Sequence, residues 1–168
     1  MSRCPVSRSA FLVFLFSLVC LSGVACSSKG PQYPEDHARY KRIDQALETL
    51  REAYVKKDLS RINALMLPGD QPERMEQDIK KDFQAFEEID LGFAIDRIVI
   101  EGDTIDVFLH WGGEWKKTAA DTGIRERGHG MLRWVGVQSI LLQGGEGDLP
   151  FGMAGRRTEP PPRVPTSS

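Results

Sequence analysis

The spacing of apolar residues changes once along this chain, from helical to alternating, and that change narrows the possible folds more than any other feature. Before about residue 88 the period is helical. Tyr40, Ile43, Leu47, Leu50 and Tyr54 recur at threes and fours, with Ala46 and Ala53 between them. That is one apolar stripe on a helix of about five turns, and Asp36 is placed to cap it. Arg42, Glu48, Arg51, Glu52 and Lys56 make the opposite, solvated face. Asp58 can cap a short second helix carrying Leu59, Ile62, Leu65 and Met66, which Pro68-Gly69 stops. Asp70 and Glu73 have capping-box spacing, Pro72 suits a first turn, and Met75, Ile79, Phe83 and Phe86 stripe a third helix ending near Glu88.

Beyond that point the pattern alternates. Residues 93–100 read as a strand, Gly102-Asp103 as a two-residue loop, 104–117 as a second strand, 124–135 as a third and 138–143 as a fourth. A two-residue loop sets Ile100 against Ile105, Ile98 against Val107, Asp96 against Leu109 and Ala94 against Trp111. A loop over 118–123 sets Leu109 against Leu132, Val107 against Trp134 and Trp115 against Glu126. Both hairpins then gather apolar residues on one face, as a buried sheet requires. Gly112, Gly113, Gly128 and Gly130 interrupt the long strands, with Gly113 opposite Gly128, which lets the sheet bend sharply. The expected class is α+β: three N-terminal helices packed on a strongly bent antiparallel sheet of about four strands.

Three local phrases bear on family. They are Ala46-Leu47 with Ala53-Tyr54 and Lys57-Asp58, then residues 98–103 (IVIEGD), then residues 147–152 (GDLPFG). Together with the element order they resemble the nuclear transport factor 2-like (SnoaL-like) cone fold over about residues 38–153. That family includes enzymes and binding modules, so the resemblance implies a fold more than a function.

The first 25 residues follow another logic. Arg3 and Arg8 precede a 12-residue apolar run, 10–21, and then Ser22-Gly23-Val24-Ala25. This is the pattern of a secretory signal peptide, and the run is too short for a spanning helix of about 20 residues. Gly23-Val24-Ala25-Cys26 resembles the lipobox of bacterial lipoproteins, with Gly where that family usually carries Leu. The resemblance implies a diacylglycerol on the Cys26 thiol and, with Ser27 next, an outer-membrane address facing the periplasm. An ordinary small-x-small cleavage site fits the same residues but leaves a lone exported thiol. Residues 26–35 then form the lipidated N-terminus and tether, 36–154 the folded domain, and 155–168 a Pro-rich solvated tail.

Chemistry is sparse. With 22 Lys and Arg against 24 Asp and Glu, a net charge of −2, the chain lacks the basic excess of a nucleic-acid binder. In the register above, Asp96 lies on the apolar face with Trp111, Trp115 and Tyr54, a candidate pocket. There it is either tied to a tyrosine, Tyr40 or Tyr54, or serves as a general acid/base of a small cavity enzyme of isomerase or hydrolase type. Glu126 reads as a rim residue. His110 and His129 fall on the face opposite Asp96, and no histidine or cysteine spacing suggests a metal, so neither metal nor cofactor is expected. Phe93, Phe108 and Met131, lying beside His110, give the outer face an apolar content that a one-sided sheet does not need. They are the candidate interface for a second copy or an envelope partner. The expected role is a non-catalytic binding or assembly module held to the membrane through Cys26.

Overall fold

A computed structural model describes residues 34–156. The leader, Cys26, most of the tether and the tail beyond Arg156 lie outside the described residues. Helix α1 runs Pro34–Val55, α2 Leu59–Leu65 and α3 Asp70–Ala85. Four strands follow, β1 Glu88–Glu101, β2 Thr104–Lys116, β3 Ile124–Val135 and β4 Leu141–Gly147, and a last turn of helix, α4, covers Met153–Arg156. The sheet is an antiparallel meander in the order β1-β2-β3-β4.

Local chemistry explains the helix ends. The Asp58 carboxylate accepts the Arg61 N–H at 3.0 Å and caps α2. At α3 the cap residue is Gly69, whose carbonyl accepts the Glu73 N–H at 3.0 Å, so Asp70 sits inside the first turn and makes no capping box. Helix α1 begins at Pro34, ahead of Asp36. Two arginines of α1 tie it to the β3–β4 connection. Arg39 donates to the Gly136 carbonyl at 3.1 Å, and Arg42 to that of Val137 at 2.9 Å. Arg42 is thus a clamp rather than part of a purely solvated face.

The core lies between α1, α3 and one face of the sheet. From the helices it takes Ile43, Leu50, Tyr54, Ile62 and Ile79, all with no exposure. From the sheet it takes Ile105, Val107, Leu109, Trp111, Trp115, Leu132, Trp134 and Leu142, none more than 2% exposed. Period-two alternation along β2 puts the odd-numbered residues there and leaves the even-numbered ones facing out.

The register departs from expectation twice. Ile100 opposes Ile105 and Ile98 opposes Val107, but Arg97 opposes Phe108 and Ile95 opposes Leu109. Asp96 is the extra residue of a β-bulge. Every residue before it therefore changes face relative to the expected ladder. Phe93 opposes Trp111 and packs against the core, so it leaves the candidate interface. Strand β1 also begins earlier, and Ile89 and Leu91 are buried. In the second hairpin Trp115 opposes Ile124, two residues from the expected pairing. A shift of two keeps every side chain on its face, so the apolar assignment survives while the partners change. Gly128 and Gly130 consequently oppose Trp111 and Leu109, and Gly113 opposes an exposed Glu126.

Candidate functional site

The residues expected to share one pocket separate into two places. Tyr54, Trp111 and Trp115 lie in the closed interior, where their exposures are 0%, 2% and 0%. Trp111 and Trp115 meet edge to face, ring centroids 6.0 Å apart. The Trp115 indole N–H donates to the Tyr54 hydroxyl at 3.0 Å, and that hydroxyl donates to Asp82 Oδ2 at 2.7 Å. The Asp82 carboxylate also accepts the Gly152 N–H on Oδ2 and the Ala154 N–H on Oδ1, each at 2.7 Å.

Asp82 has no exposure. Burial pushes its carboxyl above the usual aspartate range, against the pull of the Ala154, Tyr54 and Gly152 donors. Burial raises the Tyr54 phenol well above its ordinary value, and the Asp82 charge adds to this. Tyr54 therefore remains the donor in this pair.

The segment that follows β4 closes this interior. Residues 148–154 return across the inner face after β4. The Asp148 carbonyl accepts the Trp111 indole N–H at 2.7 Å. Phe151 meets Tyr54 edge to face at 5.1 Å, and Met153 is 2% exposed. The bare Cα of Gly130 is what allows this approach, since a Cβ there would stand 2.7 Å from the Asp148 carbonyl oxygen.

Asp96 lies elsewhere, on the outer face. Its Oδ1 is 2.7 Å from His110 Nδ1, and its Oδ2 is 3.9 Å from His129 Nδ1. The bulge in β1 turns its carboxylate outward, away from the tryptophans. His110 and His129 are directly opposed on β2 and β3, ring centroids 5.8 Å apart. The expectation that both histidines lie on the face opposite Asp96 is corrected by the bulge alone. No spacing in the sequence announces the cluster, because the three residues come from three strands.

Beside them lies a cleft of about 470 Å³ lined in part by Phe108, Met131, Arg133, Glu146 and Asp106. The Arg97 guanidinium rests 4.3 Å from the centre of the Phe108 ring, and Arg133 bonds Asp106 through two nitrogens at 2.7 and 3.1 Å. Met131 is 8% exposed. The apolar part of the candidate interface is therefore partly covered by charged side chains of the same face.

Asp82 is the residue that sequence reasoning passed over, while His129 was placed on the outer face and given no role. Asp82 carried a readable signal. It falls three residues after Ile79 and four before Phe86, squarely on the buried stripe of α3.

No protein-family model matches the chain, and no curated protein matches its sequence. Solved structures do. A conserved protein from Planctomyces limnophilus superposes with a TM-score of 0.58 at 18% identity, over 66% of this chain and 95% of that one. A nuclear transport factor 2-like superfamily protein from Salmonella enterica serovar Typhimurium gives 0.57 at 10%, over 68% and 94%. A candidate dehydratase of the same family from Streptomyces avermitilis gives 0.56 at 11%, over 66% and 95%. The fold is therefore the nuclear transport factor 2-like cone: helices followed by a curled four-stranded antiparallel sheet. At these identities the likeness extends to the fold alone.

Proposed function

We propose that this chain is an exported, lipid-anchored, non-catalytic binding module of the bacterial envelope, working through the outer face of its sheet on a protein partner. The closed interior carries this reading. The aromatic residues that would line an open cone are at most 2% exposed, and the carboxylate among them already accepts three hydrogen bonds. Asp96, His110 and His129, by contrast, face outward beside the cleft. No helix among the described residues is long and apolar enough to cross a membrane, and Cys26 supplies the attachment in this reading.

The test is Phe108→Asp, which places a charge under Arg97 at the centre of the outer face. Binding of an envelope partner in pull-down should fall at least tenfold while the circular dichroism spectrum is kept. Self-association is read in the same samples by sedimentation. An unchanged pull-down with unchanged sedimented mass would sink the proposal.

A second reading rests on the hydrogen bond between Asp96 and His110, which has the form of an acid–base pair beside a cleft. In it the chain is a small enzyme of isomerase or hydrolase type using Asp96, moved from the cone to the outer face. Retention of every phenotype by Asp96→Asn would exclude it.

A further inference from the structure

We propose that Asp96, His110 and His129 bind one divalent transition-metal ion, of the Zn²⁺ class, on the outer face of the sheet. Three observations on the residues carry this, and none depends on the lipid anchor or on a protein partner.

The first is the donor set. One ligand atom from each residue lies within 4.8 Å of the other two. Two imidazoles and a carboxylate suit Zn²⁺, Ni²⁺, Cu²⁺ or Fe²⁺ rather than Mg²⁺ or Ca²⁺, which prefer all-oxygen shells. Ligand bonds of about 2.0–2.2 Å in a tetrahedral site place the donors a little over 3 Å apart. The Asp96 contacts at 2.7 and 3.9 Å bracket that spacing. The side chains of His110, Asp96 and His129 are 51%, 46% and 81% exposed, so solvent and an ion can reach all three.

The second is the division of the carboxylate. His110 takes one oxygen and His129 faces the other at 3.9 Å, beyond hydrogen-bond reach. A surface ion pair needs one histidine. The second, held directly across the ladder with its Nδ1 turned to the free oxygen, is what an ion between the three would need.

The third is the bulge. Without residue 96, the Ile95–Leu109 and Arg97–Phe108 pairs would be neighbours in an unbroken ladder with both faces as they stand. The sheet therefore pairs without Asp96, and the extra residue re-aims one carboxylate onto the two histidines, a use to which bulges near sites are put. Three protein ligands leave a coordination position open to solvent at the edge of the cleft.

The experiment is calorimetric titration of the full chain with Zn²⁺, paired with Co²⁺ absorption as a report on ligand geometry. One ion per chain is expected. His110→Ala, His129→Ala and Asp96→Asn should each weaken binding more than about tenfold. His37→Ala, on α1, should not. In the proton–nitrogen spectrum the ring nitrogens of His110 and His129 should shift on titration and that of His37 should stay. Absence of binding at millimolar Zn²⁺ would overturn the proposal. So would binding within twofold of wild type in the His110→Ala, His129→Ala double variant, which would place the ion elsewhere, for example on the Cys26 thiol.

Discussion

Asp82 brings a carboxylate to the Tyr54 hydroxyl, where three donors hold it, two of them backbone N–H groups of the returning segment 148–154. Its burial outweighs those donors, so the folded carboxyl has a raised affinity for protons. The sign of the pH effect follows. The unfolded group titrates near the ordinary aspartate value of about 3.9. The folded group titrates higher, so between the two values the native state binds more protons than the unfolded one. The stability this group contributes is full below the unfolded value and is lost as pH rises through the folded value. Asp82→Asn keeps the shape and removes the titration. The unfolding free energy of wild type relative to Asp82→Asn should therefore fall with rising pH across that acid window and be flat above it. Urea denaturation of both proteins at a series of pH values reads this directly. A difference that grows with pH would mean that the donors outweigh burial.

Between elements, the returning segment 148–154 and strand β3 approach so closely that one methyl group is felt. A Cβ on Gly130 would stand 2.7 Å from the Asp148 carbonyl oxygen and 2.8 Å from Leu149 Cδ2. The carbonyl is backbone and also holds the Trp111 indole, so it cannot swing aside cheaply. Gly130→Ala should cost about 1–3 kcal/mol, as overpacking does, and should speed hydrogen exchange at the Trp111 indole. Gly112→Ala meets nothing within 4 Å and serves as the neutral control. The helices and the inner face of β2 were legible in the sequence because each has a periodic signal, and the β1–β2 turn because Gly102-Asp103 marks it. The bulge was legible in principle as well. Ile89, Leu91, Phe93 and Ile95 fall on odd positions and Ile98 and Ile100 on even ones, so the alternation changes phase across Asp96. Starting the strand at Phe93 hid half of that pattern. The outer cluster was not legible, since it depends on which strands pair and on the side to which one extra residue turns. The returning segment left no periodic trace either, because it is held by single hydrogen bonds and ring contacts.

At the scale of the whole molecule, the proposed lipid anchor can be set against a spanning one. Were it a helix, the 12-residue apolar run 10–21 would span only about 18 Å, against a hydrocarbon core of about 30 Å. A spanning anchor is therefore a poor fit, and Cys26 is the better candidate. Each buried CH₂ of an acyl chain contributes about 0.8 kcal/mol, and stable anchoring takes two chains, which the diacylglycerol proposed for the Cys26 thiol would provide. Loss of that thiol should therefore move the protein from almost wholly membrane-bound to almost wholly soluble, not to some intermediate partition. Cys26→Ser is expected to abolish acyl labelling and to appear in the aqueous phase of a detergent partition, with the wild type in the detergent phase. The mass of the N-terminal peptide separates the alternatives. An acylated Cys26 supports the anchor, whereas a free Cys26 terminus with wild type in the aqueous phase supports plain secretion. A Cys26→Ser variant that stays with the membrane and keeps residues 10–21 would show that the leader itself is the anchor, and would refute lipidation as the means of attachment.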